Sequence, residues 1–351
     1  MQNLKRHGVI IMMLTILLSL GLTACGVAQA SDEEIEARWQ TSAHADKEAR
    51  SFSHWNDREP PEIPINCAKC HSTHGYRDFL GINPDTTTGQ VDNPASIGST
   101  IECEACHNTA AHKKDTVVMP SGLKVTGLGT EANCMECHQG RASTNSINEA
   151  VAGQTADSVN TELSLPNIHN NPVGATQYGT EAKGGFEYDG RSYVGQYKHV
   201  VQFGTCQACH DPHTLQVQLE KCSACHLGVE TAADLPHIRT NNIDYDGDGN
   251  ISEGMAGEIE TIQERLLFAM NVYAAKTEGV DRIVFDGRFQ NEAGDSYATW
   301  TPRLLQAAYN YQFSAKDTGS YAHNNQYIIQ LLYDSLNDLG AGTDGLTRPE
   351  N

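Results

Sequence analysis

The pattern Cys-x-x-Cys-His occurs five times between residues 67 and 226 and constrains this chain more than any other feature. The copies are Cys67, Cys70 and His71; Cys103, Cys106 and His107; Cys134, Cys137 and His138; Cys206, Cys209 and His210; and Cys222, Cys225 and His226. Two thiols three positions apart can reach the two vinyl groups along one porphyrin edge, and the histidine that follows turns under the ring to bind its iron. The eleven cysteines divide without remainder into these ten and Cys25, so none is left for a disulfide. Zinc ribbons use cysteine pairs in twos and need no histidine after every second cysteine, which argues against zinc. Redox dithiols of the thioredoxin kind would not recur five times in one chain. The sequence therefore predicts five haem c groups, with these ten cysteines as thioether donors and these five histidines as proximal iron ligands.

The remaining composition fits a core built partly from cofactor. Only 39% of the residues are apolar and 7% aromatic, with 31 glycines spread through the chain. Buried porphyrins would add apolar surface and so permit long irregular stretches. At the start, Lys5 and Arg6 precede an apolar run from Val9 to Leu22, closed by Thr23, Ala24 and Cys25. This reads as an export signal over residues 1–24, since the run is shorter than the ~20 residues of a membrane span. Its ending resembles a bacterial lipobox, which implies that Cys25 is lipidated and that acyl chains attach the mature protein to a membrane. The formal charge of −20 becomes −22 without Lys5 and Arg6. So acidic a surface disfavours nucleic acid and anionic lipid and suits a basic redox partner or a cationic metal species.

Beyond the five motifs, His54-Trp55, the run from Cys137 to Arg141 and the run from Ala307 to Tyr311 resemble a large bacterial group of envelope multihaem c-type cytochromes. The resemblance implies a mainly α fold with extensive irregular structure, a multihaem core and a C-terminal helical tail.

An iron held by one histidine keeps an axial position open, and its occupant decides between electron transfer and catalysis. Nine histidines lie outside the signal and the motifs: His44, His54, His74, His112, His169, His199, His213, His237 and His323. Five would close every iron, and His44, His54, His169, His199 and His213 are the expected set. His213 follows the fourth motif closely enough to serve a neighbouring haem, a placement known from related multihaem proteins. His54 and His44 are expected on one helix leading to the first motif. His169 and His199 would order the 72-residue interval between the third and fourth motifs, which includes Gly184 and Gly185. Arg141 is a candidate partner for a haem propionate. The fourth and fifth motifs begin only 16 residues apart, so their haems must be neighbours.

Asp244, Asp246, Asp248, Gly249, Asn250 and Ile251 follow the EF-hand pattern, predicting a structural Ca²⁺ site. Met255 stands at position 12 where a bidentate glutamate is usual, so Glu253 or Glu258 must complete the shell, giving Asp244, Asp246, Asp248, Asn250 and Glu258 as the candidate set. Helical periodicity then takes over. Ile259, Ile262, Leu266, Leu267, Met270 and Ala274 mark one helix; Thr301 caps a second that starts at Pro302; a third is expected from about Asn325 to Leu339, stopped by Gly340. Tyr309 and Tyr311 are assigned to packing.

The expected layout is a signal (1–24), a lipidated linker (25–50), a pentahaem domain (51–240), the calcium loop (241–258), a helical tail on the haem core (259–340) and a flexible end (341–351). These features favour an electron-transfer protein of the cell envelope, on its periplasmic or extracellular side, between a membrane donor and an envelope or extracellular acceptor. The alternative is a reductase or oxidoreductase of small nitrogen or sulfur compounds at one open haem. Pentahaem nitrite reductase typically replaces one motif histidine by lysine, whereas all five motifs here end in histidine.

Overall fold

The computed structural model describes residues 30–169, 171–239 and 241–350; Cys25 and the signal segment lie outside them. Among the described residues the fold is helical and irregular, with three two-stranded antiparallel ribbons: Glu62–Ile63 with Ala95–Ser96, Thr116–Val118 with Lys124–Thr126, and Val284–Phe285 with Phe289–Gln290. Ahead of residue 255 no described helix exceeds the nine residues of Asp32–Gln40, whose Ser31 and Glu34 form a capping box. His44 and His54 do not share a helix. The chain turns after Gln40, and only Arg50–Ser53 is helical before His54.

The long helices are Met255–Lys276, Pro302–Lys316 and Asn325–Asp338, and they pack on one another. The first buries Ile259, Ile262, Leu266, Met270 and Ala274. The Thr301 hydroxyl accepts the Leu304 N–H at 3.2 Å, a cap that typically contributes about 1 kcal/mol. The Asn324 side chain caps the third helix through the Tyr327 N–H at 3.1 Å, and Gly340 ends it at φ +69°.

This bundle owns most of the apolar core, including Leu304, Leu305, Tyr309, Phe313, Tyr327, Ile328, Leu331 and Leu332. The interval before the fourth motif docks on it. Asn310 bonds both the N–H (2.7 Å) and the C=O (2.9 Å) of Phe186, and the Tyr309 hydroxyl donates to Gly184 O at 2.9 Å. A Cβ on Gly185 would lie 2.2 Å from Leu331 Cδ1, so any larger residue there would have to displace the Leu331 side chain. The C-terminal segment is tied down as well: Arg348 grips the buried Asp334 carboxylate with bonds of 3.0 and 2.8 Å.

The motif-bearing part contrasts with the bundle. Around the first two motifs the buried apolar residues form two small clusters, Trp55, Ile63, Ala68 and Ala95, and Tyr76, Leu80, Ala105 and Ala111. Between Tyr193 and Tyr245 the one buried apolar side chain among the described residues is Val229. Leu227, next to the fifth motif, is 95% exposed. Some fifty residues with so little apolar burial cannot offset their own ordering entropy.

Candidate haem-binding site

In four motifs both cysteines occupy one helical turn, in Ile65–His71, Cys103–Cys106, Glu131–Cys137 and Cys206–Cys209; in the fifth, Cys222 lies near the end of Leu219–Ser223 and Cys225 in the turn that follows. Four of the motif histidines return their N–H to the first cysteine's carbonyl: His107 at 2.8 Å, His138 at 3.0 Å, His210 at 2.8 Å and His226 at 2.9 Å. Positions i, i+3 and i+4 share a helix face, so both thiols and the imidazole leave on one side. All ten motif thiols are free of disulfides and none is buried, as alkylation by one planar group requires.

Four of the motif histidines each lie opposite a second histidine, with interplanar angles from 5° to 87°. His138 lies opposite His44 with ring centres 6.3 Å apart, His71 opposite His169 at 5.7 Å, His107 opposite His213 at 6.0 Å and His226 opposite His199 at 5.7 Å. Two imidazoles bonded at roughly 2 Å to opposite faces of one iron would have ring centres about 6 Å apart. The donor set therefore fits haem with two histidine ligands. Backbone carbonyls hold Nδ1 of His71 (Ser51, 2.8 Å) and of His210 (Leu215, 3.1 Å), leaving Nε2 for a metal. Burial, joined by the facing imidazole, pulls His44 down to about 4 and lowers His71, His199 and His213, while burial and the Arg141 charge lower His169. These rings are therefore neutral at pH 7, the form that binds metals.

The fifth expected ligand, His54, sits differently: its ring stands edge-on to Trp55 at 5.1 Å and its Nε2 is 2.7 Å from Arg58. His323 has its Nδ1 held by the buried Asp317 carboxylate at 2.8 Å, and both His323 and His210 lie close enough to His138 to act on its charge. His112 also lies 6.0 Å from His107, on the short helix Thr109–Lys113. Arg141 is exposed and beside the His71 and His169 rings.

The variable positions inside the motifs proved to be structural, which their place as spacers concealed. Lys69 of the first motif meets Glu136 of the third at 2.9 Å, and Lys114 meets the other oxygen of Glu136 at 2.8 Å. The same two motifs exchange thiol contacts, Cys70 with Glu136 O at 3.8 Å and Cys137 with Lys69 O at 3.9 Å. Cys134, Cys206 and Glu131 bring their donor atoms within 4.8 Å of one another, so the third motif also adjoins the fourth. The fourth and fifth motifs touch through Lys221 and Ala208 O at 3.1 Å and through Gln218 N and Cys209 O at 2.8 Å.

In the acidic loop, Asp244, Asp246 and Asp248 form one cluster of facing carboxylates and Asp246, Glu253 and Glu258 another. Asn250 is exposed, with its side-chain oxygen engaged by Ser252.

Paired thiols, a following histidine and an opposing histidine are the donor set that a c-type haem would use. The chain is 25% identical over 329 aligned positions to the C-type polyheme cytochrome OmcB of Geobacter sulfurreducens, in two strains, covering 82% of this chain and 40% of the relative. It is also 25% identical over 322 positions to the C-type polyheme cytochrome OmcC of the same organism, covering 82% of this chain and 38% of the relative. The chain thus spans about two fifths of the length of these curated relatives. Neither a family model nor a solved structure matches it. The distant similarity supports a multihaem c-type cytochrome that carries haem c.

Proposed function

We propose that the protein is a lipid-anchored pentahaem electron carrier of the cell envelope. The observation that carries this reading is the pairing of four motif histidines with His44, His169, His213 and His199 at 5.7 to 6.3 Å. Bound haem supplies one-electron iron chemistry. The motif cysteines would hold each haem and the paired histidines would ligate its iron, while Ser51 O and Leu215 O orient the rings of His71 and His210. Such closed irons leave substrates no ligand position, which favours conduction over catalysis. The contacts among motifs favour close haem-to-haem spacing, and Arg141 is suited to pair with a propionate at the first site.

For His107 we assign His213 as the second ligand and not His112. Only four residues lie between His107 and His112, most of them helical, which leaves too little chain to pass around a porphyrin edge. For His210 we assign His323 in place of His54, because a carboxylate-anchored Nδ1 is the usual support of a ligating imidazole. The reductase reading survives at this one iron, since His210 has no ring partner among the described contacts. Electron paramagnetic resonance of the oxidised protein tests both: the carrier gives only low-spin haem, and His323→Ala creates one high-spin iron while His54→Ala does not. One high-spin iron in the parent protein, with turnover of nitrite or hydroxylamine, would establish the reductase instead.

Lipidation at Cys25 and redox partners on either side, a membrane donor and an envelope or extracellular acceptor, belong to the same proposal. No helix among the described residues is long and apolar enough to cross a membrane. Globomycin-sensitive processing and loss of membrane attachment in Cys25→Ser test the anchor.

A further inference from the structure

Five carboxylates after the fifth motif form two clusters that share Asp246: Asp244, Asp246 and Asp248, and Asp246, Glu253 and Glu258, the last on the first turn of the first long helix. Two cations face them. Arg239 Nη1 lies 2.5 Å from Glu258 Oε1, and Arg265 donates at 2.8 Å to the backbone carbonyl of Asp246, not to a carboxylate. The negative charge is left in excess where it is least hydrated. Asp246 is 1% exposed and Glu258 fully buried.

The hydrogen bonds show which oxygens are committed. Asp244 accepts the Gly247 and Gly249 N–H groups at 2.6 and 2.9 Å, Asp248 accepts Asn250 N–H at 2.6 Å, and Glu258 Oε2 accepts the Tyr245 and Asp246 N–H groups at 2.8 and 2.9 Å. Asp246 Oδ1 accepts the Asp248 N–H and the Thr261 hydroxyl faces the same carboxylate, while Asp246 Oδ2 has no hydrogen-bond partner. Glu253 Oε1 is likewise buried without a partner. The Glu253 carboxylate lies over Gly257, where a Cβ would stand 2.3 Å from its Oε2, so the first turn of the helix is left bare to receive it. A buried carboxylate oxygen with no donor is costly unless a cation completes it.

We propose that this loop binds one calcium ion, with Asp244, Asp246, Asp248 and Glu253 as its side-chain ligands. Glu253 supplies the carboxylate that Met255, at position 12 of the EF-hand pattern, does not, and Glu258 serves as the buried clamp that ties the loop backbone to the helix. Asn250 is left out of the side-chain set because it is exposed. Oxygen donors of this number and charge suit Ca²⁺ over Mg²⁺, which demands near-ideal octahedral geometry and keeps its waters. The site joins separate parts of the molecule. The Met255 N–H bonds Ile238 O at 3.0 Å on the segment that follows the fifth motif, and the Thr347 N–H bonds Tyr245 O at 3.0 Å near the C-terminus. Calcium would lock the haem-bearing chain onto the helical bundle.

The test uses the full holoprotein, stripped with a chelator and melted with Ca²⁺ or Mg²⁺ added back, beside elemental analysis of the protein as purified. At hundredfold excess over its dissociation constant, Ca²⁺ should raise the melting midpoint by roughly 5 °C, with one calcium per chain and a smaller response to Mg²⁺. Glu253→Gln, at a half-buried position, should weaken the calcium response at least tenfold in concentration, and Asp246→Asn should abolish it. An equal response to Mg²⁺, no response in the parent protein, or a full response retained in Glu253→Gln would each overturn the assignment. The haem spectrum of the same samples reports separately on the cofactor reading.

Discussion

Replacing Glu136 by glutamine should destabilise the protein by about 2 kcal/mol, because it leaves two ammonium groups facing each other without their shared carboxylate. Glu136 has a side chain 4% exposed and meets Lys69 at 2.9 Å and Lys114 at 2.8 Å; the lysines are 28% and 15% exposed. Burial lowers the Lys69 pKa, yet the charge of Glu136, joined by Cys70, the Glu136 hydrogen bond and Cys137, more than reverses this and leaves it raised. Removing one partner of a fully buried pair costs about 3–5 kcal/mol. Both lysines retain some contact with water and lie over the Phe79 ring, 4.8 and 5.3 Å from its centre, which roughly halves that figure. At about 2 °C per kcal/mol, the expected fall in melting midpoint is about 4 °C. The assay is thermal melting of the holoprotein followed in the Soret region, with Lys114→Met and the double variant completing a thermodynamic cycle. The double variant should recover part of the loss, giving a coupling of about 1 kcal/mol. Because Lys69 and Glu136 belong to different motifs, loss of this negative charge should also raise the potential of a nearby haem. A melting midpoint within 1 °C of the parent, together with additive single variants, would show that the triad is solvated and that the reasoning fails.

Two further outcomes follow from the helical bundle. Asn310→Ala removes bonds to both backbone groups of Phe186 and to Ser335 Oγ (3.0 Å), so denaturant unfolding should report a loss of about 3 kcal/mol and exposure of the 184–187 segment to proteolysis. Glu187 is held above the usual carboxylate range by burial, partly offset by the Thr180 and Tyr327 hydroxyls. Its contribution is full below the unfolded value near 4.5 and declines as pH rises through the raised folded value, so Glu187→Gln should flatten that decline in melting midpoint above pH 4.5.

The bundle was readable in the sequence because its signals are local. Apolar residues at three- and four-residue steps, Thr301 before Pro302 and Gly340 after the last turn each act within one element. The five motifs were readable for the same reason, since thioether attachment needs only residues within five positions. What stayed hidden depends on contacts across the fold. Asn310 docking on Phe186 spans 124 residues, and Glu136 reaches Lys69 across 67; neither leaves a mark on nearby sequence. The expected helix joining His44 and His54 is absent because the stretch between them lacks a sustained apolar period. His54 instead rests on its neighbours Trp55 and Arg58, while His323, anchored by Asp317 six positions earlier, carries its support in plain view.

The most direct test of the account is the haem content of the purified chain. Intact-mass measurement with a pyridine haemochrome assay should give five covalent haem c groups per chain, and His44→Ala should convert one of them from low to high spin without releasing it. Fewer than five haems, or zinc held by the cysteine pairs in their place, would contradict the central claim.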